Sequence, residues 1–298
     1  MSTAGQRMSA LTIMRRIVIG RVAVLCVLGG CLAFASQQTG ASRIALATVV
    51  DSRNRPIVDL DADDFVVHEG ADAREILSVH VADYPVVVMI DTGSRARGDL
   101  PAMQKAAAQF ITRIGQRPVA LGTFGDPPEM LTSVDEERPT LMARLDALPA
   151  PGETAASALL EGAALAARTL RPIGSLFTAI VMLSASPVDA SRDADALVAP
   201  VVDASAILHV VANRPDRAPV GSGEAESTLR ALIDQTHGQY TTIYTAASYR
   251  AALDHIADRM ATEIMIEYLV PPQSKASDVK IGVRIPGARV RGFGVAPR

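Results

Sequence analysis

Asp91 is the residue best placed to do chemistry. It follows the β-forming run "VVVMI" (86–90) and opens the polar stretch "DTGSRARGD" (91–99). In open α/β sheets, ligands bind beyond the carboxyl ends of the strands, so an acid at this point occupies a site position. Three chemistries suit it: ligation of a hard cation, nucleophilic attack, or closure of a turn.

Most enzymatic readings lack their other parts. Dinucleotide binding needs a glycine-rich turn after the first strand. "DTGSRARG" has only two isolated glycines, and Gly221-Ser222-Gly223 has no strand before it. No G-K-[ST] occurs, which excludes a P-loop. An aspartyl nucleophile for phosphoryl transfer wants a second acid and a lysine at the end of a later strand. The three lysines, Lys105, Lys275 and Lys280, end no sheet strand. Ser94 and Ser184 follow strands without a G-x-S-x-G elbow. The histidines at 68, 80, 209, 237 and 255 have no ligand spacing, and His209 reads as a core residue of its strand.

The elements that must position Asp91 are those of an α/β fold. Strands at 86–90, 118–124, 176–184, 206–212 and 238–244, with a short one at 130–134, alternate with helices. The helices are predicted at 99–115, 137–148, 154–170, 193–205, 225–237 and 248–262. Continuous apolar strands between helices imply a doubly wound, mostly parallel six-stranded sheet with helices on both faces. Asp99, last residue of the triplet Arg97-Gly98-Asp99, is expected to cap the next helix. Strand patterns at 43–51, 61–70 and 74–82, and again at 263–271, 278–286 and 288–297, add a small β-extension from the two flanks. The organisation is then 1–35 signal or anchor, 36–82 N-terminal β-segment, 83–262 α/β domain and 263–298 C-terminal β-extension.

The first 35 residues are of another kind. Arg7, Arg15, Arg16 and Arg21 precede the apolar run 22–35, which ends in Ala33-Phe34-Ala35. A basic start, a short apolar stretch and a small-x-small ending read as a secretory signal. An uncleaved membrane anchor is one alternative, and a lipid on Cys31 of "LGGC" (28–31) is another. Cys26 and Cys31 are the only cysteines, so a chain cleaved after Ala35 has neither disulfide nor thiolate metal site. Without the segment's four arginines the chain keeps 25 basic and 32 acidic residues, a net charge of −7. That balance argues against nucleic acid as a partner.

The strand–Asp–Thr–Gly–Ser sequence is followed in order by "GTFGDPPEMLTSVDEERPTLMARLDAL", "GETAASALLEGAALAARTL" and "AIVMLSAS". This order resembles a von Willebrand factor type A (vWA) domain. The flanks "IALATVVDSRNRPIVDLDADDFVVHEG" and "IEYLVPPQSKASDVKIGVRIPGARVRGFGVAP" resemble the bacterial exported VWFA-related group, so the likeness spans about residues 43–297. The family's metal-ion-dependent adhesion site uses D-x-S-x-S after the first strand, a later Thr and an Asp after the fourth strand. Those oxygens suit Mg²⁺ with one position open to a partner's carboxylate. The resemblance assigns Asp91 to the first Asp and Thr154 to the Thr. Gly93 and Arg95 stand at the two serines and Ala185 at the second Asp, so three of five positions are substituted. Ser94 in a slipped register and Asp126 in the next turn are the candidates to compensate, and Arg95 is expected to replace the metal by pairing with Asp91.

The resemblance therefore implies a non-enzymatic, extracytoplasmic protein–protein interaction domain, exported to the periplasm, envelope or medium. Its surface includes Asp91, Ser94, Arg95, Asp126 and Thr154, its partner is a protein, and it needs no cofactor. The alternatives are an Mg²⁺-dependent adhesion or scaffold domain with an atypical site, and an α/β hydrolase or transferase using Ser94 or Asp91. Membrane contact is expected only through the N-terminal anchor or the Cys31 lipid.

Overall fold

A computed structural model describes residues 41–186, 194–214, 224–272 and 278–297. The proposed signal, with Cys31, lies outside the described residues. The element order is β1 (Ala41–Val50), β2 (Phe65–Glu69), β3 (Asp72–Arg74), β4 (Ile76–Val81), β5 (Val86–Ile90), α1 (Leu100–Arg113), β6 (Val119–Thr123), β7 (Glu129–Met130) and α2 (Arg138–Asp146). Then come α3 (Leu159–Leu170), β8 (Thr178–Ser184), α4 (Ala194–Asp203), β9 (Ala206–Asn213), α5 (Glu224–Gln235) and β10 (Gln239–Ile243). The chain ends with α6 (Tyr249–Ala261), β11 (Glu263–Val270), β12 (Val279–Val283) and β13 (Arg289–Pro297).

The six-stranded sheet has the order β10-β9-β8-β5-β6-β7, parallel throughout except for the antiparallel edge strand β7. Val86 lies level with Val119 on one side and Ala179 on the other. All five residues of β5 are fully buried, because helices cover both faces. Val86, Val88 and Ile90 face Met103 and Phe110 of α1 and Ile256 and Met260 of α6. Val87 and Met89 face Ala163 and Ala167 of α3 and Leu229 of α5. Each such large side chain contributes about 1.5–3 kcal/mol relative to exposure. The chain leaves β5 first towards β6 and later returns on the other side as β8. The strand order therefore reverses between β5 and β8, and Asp91 and Ser184 lie at that reversal.

The flanks build two antiparallel sheets, β13-β1-β11-β4 and β12-β2-β3. Ala45, Ala47 and Val49 of β1 pack with Phe65, Val67 and Ile266, while Ile44 and Leu46 on the opposite face of β1 join the core beneath α1 and α6. A buried polar cluster also ties the flank to the α/β body. Glu263 is fully buried and accepts hydrogen bonds from the Tyr84 hydroxyl and from Arg259 Nε at 3.3 Å. Among the described residues no helix is long and apolar enough to cross a membrane.

Two boundaries differ from the sequence reading. Strand β7 is cut to two residues, and α3 begins at Leu159 rather than at residue 154. Residues 154–158 are non-helical instead. Ser94 N donates to Ala155 O at 2.7 Å and Ala158 N to Phe124 O at 2.9 Å, with an isolated bridge between Gly125 and Ser157. The backbone groups that a longer helix would use internally are spent on the neighbouring strand ends.

Candidate functional site

Asp91 has no exposed surface. Its Oδ1 accepts from Gly93 N at 2.8 Å and from Ser157 Oγ at 2.7 Å. Its Oδ2 accepts from Ala185 N at 3.0 Å. The Ser184 hydroxyl, 3.4 Å from Oδ2, divides its single proton between that oxygen and the Ser186 carbonyl. Burial pushes the Asp91 carboxyl above its ordinary value of 3.8, and the bonds from Ser157, Gly93, Ala185 and Ser184 pull it partway back.

Each of these donors has a structural reason to be there. Gly93 has φ −68° and ψ 163°, a backbone any residue can adopt, so its smallness answers to space. A Cβ there would lie 2.2 Å from Ser157 Oγ and 3.1 Å from Asp91 Oδ1. The serine hydroxyl of the family motif is thus absent at 93, and a hydroxyl from 157 fills the room. Ala185 N reaches Asp91 because β8 pairs with β5 in register up to Leu183, whose carbonyl takes Asp91 N at 3.0 Å.

A second polar layer supports the first. Tyr249 OH donates to Ser184 O at 2.7 Å, and Asn213 Nδ2 donates to Asp99 at 2.6 Å. Burial and the charges of Asp99 and Asp91 raise the Tyr249 phenol, which stays protonated. Asp99 makes no capping bond to α1; its carboxylate is turned towards Asn213 and Tyr249 instead.

The other expected site residues are arranged differently from the motif. Arg95 does not pair with Asp91. Its guanidinium is exposed and donates to Ser186 Oγ at 3.2 Å, since Asp91 is sealed behind Gly93 and Ser157. Thr154 is exposed and makes no bond to Asp91; Ser157, three residues on, does. Ser94 is half-buried and contributes backbone bonds only, and Asp126 is exposed in the turn after β6. Sequence reasoning did not single out Ser157, Ser186, Asn213 or Tyr249, and weighed Ser184 only as a hydrolase nucleophile. The "LSAS" at the end of β8 and the "TAAS" before α3 were the available signals.

The fit of a divalent cation follows from this donor set. An ionised carboxylate offers about four lone-pair sites. Here three protein donors and a shared fourth already occupy them, and two are backbone N–H groups whose positive ends point into the site. Gly93 and Ala185 supply no side-chain oxygen, and among the described residues no group of three or more His, Cys, Asp or Glu could hold a metal. The described residues do not fit a resident metal ion. Nor, among the described residues, does an imidazole hydrogen-bond Asp91, Ser157 or Ser184, so they assemble no nucleophile–base pair here. His209 is fully buried in β9, and burial lowers it to about 3.

No protein-family model matches the sequence, and no curated protein is similar to it. Among solved structures, a von Willebrand factor type A protein from Catenulispora acidiphila is similar at 13% identity. The match covers 89% of this chain and 75% of that one, with a TM-score of 0.52. An aerotolerance-related membrane protein from Bacteroides fragilis NCTC 9343 matches at 14% identity over 59% of this chain and 99% of its own, with a TM-score of 0.47. The vWF domain of the type V pili tip protein Mfa5 from Porphyromonas gingivalis matches at 11% identity over 61% and 96%, with a TM-score of 0.46. The first of these spans the flanking sheets as well as the α/β body, and with the strand order it establishes that the chain has the fold of a von Willebrand factor type A domain.

Proposed function

We propose that the chain is a non-enzymatic protein–protein interaction domain of adhesion type that works outside the cytoplasm and without a metal ion. One observation carries this reading: the carboxylate at the metal-site address is saturated by the chain's own donors, while the charged group that faces solvent beside it is Arg95. The binding surface is the carboxyl-terminal rim of the sheet, at residues 91–97, 125–128, 152–155 and 185–189, of which 187–189 lie outside the described residues. Arg95, Ser94, Asp126 and Thr154 are among its accessible polar groups, with Arg97 and Glu153 beside them. Asp91 shapes this rim from beneath and does not touch the partner.

The net charge of −7 after removal of the first 35 residues favours a protein partner over nucleic acid. Export is supported by the four arginines and the apolar run of residues 22–35. The periplasm, the envelope and the medium are all consistent with it, and mass spectrometry of the mature N-terminus separates cleaved, lipidated and anchored forms.

Calorimetric titration of the purified chain with Mg²⁺ and Mn²⁺ tests the central claim. No heat of binding is expected up to millimolar ion, and partner capture from the native envelope is expected to be unchanged by EDTA. Micromolar metal affinity overturns the reading in favour of an Mg²⁺-dependent adhesion site. Turnover of an ester or phosphoester that is lost in Asp91→Ala overturns it in favour of an enzyme.

A further inference from the structure

The chain's charge is segregated between two sheet edges. Residues 279–298 hold Lys280, Arg284, Arg289, Arg291 and Arg298 and no acid, in a chain whose formal net charge is −3. The rest of the chain is therefore at −8. Strand β13 ends the four-stranded sheet, so one side of its backbone has no strand partner among the described residues. Arg289 and Arg291 are exposed on it, and neither has an ion-pair partner among the described residues. Lys280 on the neighbouring β12 makes a loose 3.9 Å contact with Asp278, both side chains about three-quarters exposed.

Two depressions run along the same strand. One, of about 710 Å³, lies between β12 and β13 and is lined by Val279, Ile281, Val290 and Gly292. The other, of about 190 Å³, opens towards the body of the domain between Phe177, Ile207 and Phe293. Both include Val295, which is exposed. The basic edge thus carries apolar recesses beside its charges.

Strand β7 at the far edge of the six-stranded sheet carries the opposite sign. Asp126, Glu129, Asp135, Glu136 and Glu137 are all exposed around it and have no ion-pair partner among the described residues. Charges on an edge strand ordinarily keep copies of a protein apart. That device requires the same sign on both edges. Here the signs are opposite, and β7 borders β6 while the β13 depressions border β8–β10, so the two edges do not neutralise each other within one chain.

We infer that the β13 edge of one copy docks the acidic β7 corner of a second copy, head to tail. Such a contact is heterologous: each copy keeps one free edge of each sign, so association continues beyond a dimer. It is steered by charge, and the screening length of about 8 Å at physiological salt makes it salt-sensitive.

Sedimentation velocity of the chain over a concentration series tests this. A concentration-dependent rise in mass above the monomer is expected at low salt, with reversion to monomer at high salt. Arg289→Glu with Arg291→Glu is expected to abolish association, and so is Glu136→Lys with Glu137→Lys. All four positions are exposed, and circular dichroism verifies that the variants fold. Mixing the two variants is expected to restore association, because the arginine variant keeps the acidic β7 corner and the glutamate variant keeps the basic β13 edge that docks it. A wild type that stays monomeric at low salt overturns the inference, as does association unaffected by the reversals or no recovery in the mixture. Binding of the monomer to phosphatidylglycerol vesicles, lost in the arginine variant, overturns it in favour of an anionic lipid surface.

Discussion

The clearest consequence of the geometry is that the hydroxyl beside Asp91 comes from residue 157 because residue 93 has no room for one. Gly93→Ser places a Cβ 2.2 Å from Ser157 Oγ, so the Ser157 side chain must leave. Its 2.7 Å bond to the carboxylate is then lost. A hydrogen bond to a charged group contributes about 1.5–3 kcal/mol, and forcing extra volume into a packed site costs about 1–3 kcal/mol more. The single substitution is therefore expected to destabilise by about 3–5 kcal/mol, a fall in Tm on the order of 10 °C for a chain of this size. Ser157→Gly alone loses the bond and gains backbone freedom, for about 2–4 kcal/mol.

The double variant Gly93→Ser with Ser157→Gly removes the 2.2 Å clash and puts a hydroxyl back beside Oδ1, with contacts of 3.0 Å to residue 157 N and 3.1 Å to Asp91 Oδ1 left to relax by a few tenths of an ångström. It is expected to be more stable than the sum of the singles by about 2 kcal/mol or more, a coupling readable by urea denaturation of all four proteins. If Gly93→Ser unfolds within 1 kcal/mol of wild type, or if the two changes are additive, Ser157 does not seal the site and the account of Asp91 as an enclosed carboxylate is wrong.

Other outcomes follow from buried groups. Burial lowers His209 to about 3 from its ordinary 6.5, so the unfolded state binds its proton more readily and stability is lost as pH falls below 6.5. The loss is about 2 kcal/mol by pH 5 and about 4 kcal/mol by pH 3. Denaturation of wild type and His209→Leu at pH 7.5 and 5.0 should show the difference. The raised carboxyls of Asp91 and Glu263 act in the opposite direction but are common to both proteins, and equal pH dependence would count against a neutral, enclosed imidazole. Arg259→Met leaves the buried Glu263 with Tyr84 but without its ion-pair partner, which should cost about 3–5 kcal/mol at pH 7.5 and less as the pH is lowered, because burial already raises the Glu263 carboxyl. Arg95→Ala, at an exposed position with a single hydrogen bond, is expected to change stability by less than about 0.5 kcal/mol while weakening capture of the partner from the envelope.

The sequence by itself determined the architecture and the address of the site. Runs such as "VVVMI" and "AIVMLS", continuous where a one-sided sheet would alternate, imply strands buried on both faces, and that requires helices on both sides. The break after β5 places Asp91 at the rim whatever follows it. Only the tertiary structure decided what Asp91 does there. Its partners come from chain positions 66 and 94 residues away, and which side chain of "TAAS" reaches it depends on where α3 begins. That start is fixed by backbone bonds to Phe124 and Ser94, groups brought close only when β5, β6 and β8 are in register. A motif records which residues follow a strand, whereas the distance of 2.2 Å that excludes a serine at 93, and the turn of Arg95 towards Ser186, exist only once three strand ends are packed together.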